Sequence, residues 1–156
     1  MKFPFALLAL LFAGASLAAP LSIDGAYSHP TAAPGVPGVG FFTVSNSGKS
    51  ADRLLSATSP AAGRVEIHRS SLRDGVMQMR ALSEGVVVPV AGSVQFAPGG
   101  LHLMLFDLAA PLKAGQRLPV TLQFERAGAV SALLEVKARE ADADPHGEHA
   151  HHGHAH

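Results

Sequence analysis

Leu101-His102-Leu103-Met104-Leu105-Phe106 alternates strictly between leucine and a second residue type, with Pro98-Gly99-Gly100 as a turn before it. A period of two over this length is the mark of a half-buried β-strand. Its leucines claim the core face. His102 and Met104 must then project together from the opposite one.

The same period recurs on either side. Val65 and Ile67 alternate with Glu66 and His68, and Val120, Leu122 and Phe124 alternate with Thr121, Gln123 and Glu125. Phe42 and Val44 run into the turn residues Asn46, Ser47 and Gly48. Glycine and proline punctuate the chain at 34–38, 60–63, 74–75, 98–100 and 114–115. Many short strands at such intervals predict an all-β fold, a Greek-key β-sandwich or barrel, with no long amphipathic helix. Arg69 to Gly75 reads as the connection of a hairpin, with Val76 to Leu82 returning beside the preceding strand.

The ends differ from this middle. Lys2 precedes an apolar run from Phe3 to Leu17, followed by small residues at Ala18 and Ala19, which predicts a signal peptide over 1–18 and export to the periplasm. Pro20 ends the run, and about 20 apolar residues would be needed to span a bilayer. A β-domain is expected over 19–139. Over 140–156 the composition turns acidic and then histidine-rich, with His146, His149, His151, His152, His154 and His156. So little apolar surface predicts disorder, and the imidazoles are candidates for Cu(II), Zn(II) or Ni(II).

Charge and composition narrow the function. The chain balances 12 basic against 12 acidic residues, and a near-neutral protein without basic clusters is a poor binder of nucleic acid. No cysteine is present, so a hydrophobic core rather than disulfides must hold the exported domain. Without a nucleophile–base pair or a phosphate loop, no enzyme is expected. Thioether and imidazole are the soft and borderline metal ligands left. Apart from Met1, every methionine (Met77, Met79 and Met104) lies in the stretch that also carries His68 and His102. Methionine usually fills cores. Its gathering with two histidines, with Met104 on the face the leucines vacate, instead points to a site for Cu(I), which thioethers favour. A blue-copper electron-transfer centre is excluded, because that needs cysteine.

Val65-Glu66-Ile67-His68, Asp74-Gly75-Val76-Met77-Gln78-Met79-Arg80 and Pro98-Gly99-Gly100-Leu101-His102-Leu103-Met104-Leu105 together closely resemble the periplasmic copper chaperones of the PCuAC family. That family's pattern is a histidine, ten residues, a methionine, some twenty residues and H-x-M. Ten residues separate His68 from Met79, and 22 separate Met79 from His102. The resemblance covers about Ile23 to Val136. It implies a cupredoxin-like sandwich and a Cu(I) site of His68, Met79, His102 and Met104, with Met77 as an auxiliary neighbour. It also implies a monomeric carrier that delivers copper to the copper-site subunit of cytochrome c oxidase or to another copper-assembly protein. The alternative is a periplasmic copper or divalent-metal buffer, dominated by the tail, with no dedicated acceptor.

Overall fold

The computed structural model describes residues 20–139. The signal peptide expected at 1–18 and the tail at 140–156, with all six of its histidines, lie outside the described residues. Among those described, ten strands account for the regular structure: β1 (Leu21–Ser28), β2 (Gly38–Asn46), β3 (Asp52–Thr58), β4 (Ala62–Arg73), β5 (Val76–Ala81), β6 (Val86–Val88), β7 (Ser93–Phe96), β8 (Leu101–Leu108), β9 (Arg117–Phe124) and β10 (Gly128–Val136). No helix among the described residues is long and apolar enough to cross a membrane.

The strands hydrogen-bond in the order β5-β4-β8-β7-β2-β1-β10-β9-β3-β6, with β8 also pairing β2. The two halves of this order fold over one another as a sandwich. Alternation explains why: β9 buries Leu118, Val120, Leu122 and Phe124 and exposes the residues between them. From β8, Leu103 and Leu105 are fully buried, as are Leu54 of β3 and Leu134 of β10. Phe42 and Phe96 stack at the centre with ring centroids 4.3 Å apart.

Two local devices shape the outer face of β2, β4 and β8, the face away from this core. In β1, register slips between Asp24 and Tyr27, where Gly25 has φ +59° and an extra residue is accommodated as a β-bulge. The slip sets Tyr27 opposite Phe41. The second device corrects the expected connection at Arg69 to Gly75. Strand β4 continues to Arg73, and only Asp74-Gly75 turn, with φ 50° and 76°. Positive φ at both central residues gives the I′ geometry that matches strand twist, which Asp-Gly favours.

The consequence is an arm. Strand β8 stops pairing with β4 at Arg69↔Leu101, whereas β4 and β5 pair on to Arg73↔Val76. Beyond β8 the hairpin pairs with no further strand among the described residues, and Leu72, Val76, Met77 and Met79 are all more than half exposed.

Candidate metal centre

On the ladder between β4 and β8, His68 stands directly opposite His102 and Glu66 directly opposite Met104. Their neighbours in sequence, Ile67, Leu103 and Leu105, fill the core, so the four share the outer face as alternation requires. The two imidazoles lie with ring centroids 5.9 Å apart. Unlike a strand residue on an open face, His102 is only 4% exposed.

Hydrogen bonding fixes which nitrogen of each ring is available. His102 Nδ1 lies 3.0 Å from the Gly100 carbonyl oxygen, which can only accept, so Nδ1 carries the proton. Nε2 then bears the lone pair, and it is buried without a partner. His68 mirrors this arrangement with the nitrogens exchanged. Its Nε2 donates to Glu66 Oε2 at 2.8 Å, and its Nδ1 is buried without a partner. A buried acceptor left unpaired costs about 1–3 kcal/mol. Two of them on one face, each with its tautomer set from behind, is how metal-ligating imidazoles are usually prepared.

Glu66 was missed in the sequence, where it reads as an ordinary outward residue. Its carboxylate accepts from His68 on one oxygen and from Arg64 Nε at 2.8 Å on the other. The His68 hydrogen bond and the nearby Arg64 charge hold its carboxyl below the usual carboxylate range, against a smaller upward push from desolvation. The Arg64 guanidinium in turn lies 4.5 Å from the centroid of Phe106. A charged Glu66 thus backs His68 and makes Nδ1 a better donor. Exchange of Glu66 for glutamine should lower affinity for a metal at His68 about 10–100-fold. A chelator competition checks this, and an unchanged affinity would leave Glu66 with no part in the site.

The methionines separate by position. Met79 pairs with Ser70 and lines a cleft with His102, Val39, Phe41 and Pro98. Met104 is half-buried on the same face and pairs with Val39 of β2. Met77, opposite Leu72, stands one step farther out along the arm and does not line the cleft. Among the described residues no group of three or more His, Cys, Asp or Glu side chains could hold a metal ion. What this face adds to two imidazoles is thioether sulfur. A donor set of that kind fits Cu(I) and suits zinc, magnesium or calcium poorly.

Comparison with known proteins agrees with this architecture. A family model described as "Putative lipoprotein LpqE-like" matches residues 21–136. The chain is 35% identical over 97 residues to "Putative lipoprotein Lxx21020" of Leifsonia xyli subsp. xyli, covering 62% of this chain and 58% of that protein. It spans about half the length of the curated relatives it matches. In three dimensions it is similar to the copper-bound PCuAC domain from PmoF2, with TM-score 0.65 and 24% identity over 77% of this chain and 94% of that one. It is also similar to the solution structure of CuI-DR1885 from Deinococcus radiodurans, with TM-score 0.58 and 22% identity over 80% and 83% of the two chains. The fold is therefore the all-β, cupredoxin-like sandwich of PCuAC domains.

Proposed function

The chain belongs to the LpqE-like family, and from that premise we propose that it is a periplasmic copper chaperone that carries Cu(I) on His68, Met79, His102 and Met104. Its cargo would be delivered to the copper-site subunit of cytochrome c oxidase. The histidines beyond residue 139 would capture Cu(II) as a separate function. One observation carries the reading: two buried, unpartnered imidazole nitrogens, His68 Nδ1 and His102 Nε2, lie on a face that otherwise offers methionine. The copper bound by the similar PCuAC domain from PmoF2 and by DR1885 supports it.

Four neutral ligands would leave the charge of the ion uncompensated. That favours release to a thiolate-rich acceptor over permanent retention. The neighbouring Glu66 carboxylate acts through His68, not on the ion. Met77 is an auxiliary sulfur in this reading, on the same strand as Met79 but outside the cleft.

Competition against a Cu(I) chelator, with Met104→Ala and His68→Ala in the full chain, tests the site. Equal Cu(I) affinity in both variants and the parent would sink it. Transfer is tested separately by mixing the loaded protein with an apo oxidase copper domain. Tight Cu(I) binding without transfer would favour the buffer reading, which the six tail histidines recommend.

A further inference from the structure

The arm that β4 and β5 form beyond the end of β8 has two faces of opposite character. Residues directly opposite one another on an antiparallel ladder share a face. Ser70 pairs with Met79 and Leu72 with Met77, so these four continue the face that carries His68. Leu72, Met77 and Met79 are each more than half exposed and make an apolar strip that ends in the cleft, where Met79 and Ser70 meet His102. The other face holds arginine. Arg69 stands opposite Arg80, and Arg73 lies nearer the turn opposite Val76, all three arginines exposed.

Folding alone does not account for these arginines. Among the described residues none of them forms an ion pair, and Asp74 is the only acidic residue between positions 69 and 81. Like charges directly opposite on a ladder are destabilising, so Arg69 and Arg80 weaken the hairpin of the free protein. A charge on an edge strand does guard against edge-to-edge pairing. That role needs charge on β5 alone, which Arg80 supplies, and calls for neither Arg69 opposite it on β4 nor Arg73. Guanidinium groups in a row, without an anion of their own, are complementary to carboxylates on another molecule, which each can take in a bidentate pair.

We propose that the arm is the docking surface for the protein that receives the ion, and that this partner presents an apolar patch bordered by carboxylates. The patch covers Leu72 and Met77, and the carboxylates pair with Arg69, Arg73 and Arg80. The proposal rests on the chaperone reading and adds where the acceptor sits and what chemistry it carries. Continuity with the cleft favours an acceptor over a lipid surface, because whatever covers the strip is brought up to the sulfur of Met79. A second copy docked arm to arm by two-fold symmetry would set arginine against arginine. Charge steers the encounter, an effect worth about 10–10³-fold in association rate, and the apolar strip holds the complex once formed.

The test uses the full chain loaded with Cu(I) and an apo oxidase copper domain as the acceptor, with transfer followed by stopped flow at rising salt. The parent rate should fall about tenfold or more from low to high ionic strength, as steered encounters do. Reversal of charge in the double variant Arg73→Glu, Arg80→Glu should slow low-salt transfer by about tenfold and flatten the salt dependence, since charges at a contact rim act on the association rate. Leu72→Ser should slow transfer while keeping the salt dependence of the parent. Cu(I) affinity against a chelator should be equal in all three proteins, which also shows that the variants are folded. A parent rate indifferent to salt, or either variant transferring as fast as the parent, would overturn the docking surface and leave the chaperone reading intact. A Cu(I) affinity that falls in step with the rate would do the same. No transfer from the loaded parent would overturn both. Dimerisation of the parent, or its binding to phosphatidylglycerol vesicles, lost on charge reversal while transfer is kept, would assign the arm to a second copy or to a lipid surface instead.

Discussion

His102→Leu is expected to weaken Cu(I) binding by at least about 100-fold, because in the proposed site it removes a direct donor where loss of a supporting group already costs 10–100-fold. The same change should make the metal-free protein more stable. His102 is 4% exposed, and its Nε2 has no partner. Leucine removes that buried acceptor, which costs about 1–3 kcal/mol, and forfeits a hydrogen bond worth about 1 kcal/mol. The carbonyl it leaves behind is still satisfied, since Ser70 N–H donates to Gly100 O at 2.9 Å. A net gain of about 1 kcal/mol should appear as a higher denaturant midpoint with an unchanged slope. The parent should overtake the variant only when Cu(I) is added, as binding to the native state alone raises stability by mass action. A lower midpoint for the metal-free variant would mean that His102 is a packing residue and not a prepared ligand.

The second large effect lies far from the cleft. Asp52→Ala should cost about 1.5–3 kcal/mol at neutral pH, the range for hydrogen bonds to a charged group. Asp52, at the start of β3, accepts from Arg53 N–H at 2.7 Å and from Arg126 and Ala127 N–H, both at 2.9 Å. It thereby fastens the turn between β9 and β10. Burial pushes its carboxyl up, but these backbone donors outweigh burial and hold the pKa below the ordinary value of 3.8. The sign follows. A depressed folded pKa gives stability that is fully present well above 3.8 and is lost as pH falls through the lower folded value. Chemical denaturation at a series of pH values should show parent and variant far apart at pH 7 and converging below about pH 4. A constant gap over that range would show that the carboxylate charge plays no part.

Much of this was legible in the sequence, and what was not has physical reasons. Alternation in 101–106 and 120–125 gave the strands, because each has one face in the core and one outside it. It also put His102 and Met104 on one outer face, as found. The arm was misread because Ser70 to Arg73 shows no alternation. Ser71, Leu72 and Arg73 are all exposed, so burial imposes no period of two there. The burial of His102 was equally hidden, since the cleft it lines is built with Val39 and Phe41 of β2 and His29 after β1, all far from it in sequence. Glu66 gave no signal of its own. Only the register that sets His68 beside His102 turns an outward carboxylate into a support for a ring.

The arm also divides the cleft into parts of unequal stiffness. Strand β8, which carries His102 and Met104, is hydrogen-bonded on both sides, by β4 on one and by β2 and β7 on the other. Strand β5, which carries Met79, is an edge strand with β4 as its only paired strand among the described residues. Edge hairpins with few buried contacts open at a small fraction of the global free energy. An ion shared between the two would be lost one bond at a time, with the sulfur on β5 leaving first while the imidazoles hold. Strength of retention and speed of exchange are then set by different strands. A change in the turn at Asp74-Gly75 could alter how fast the ion is surrendered with little effect on how tightly it is held.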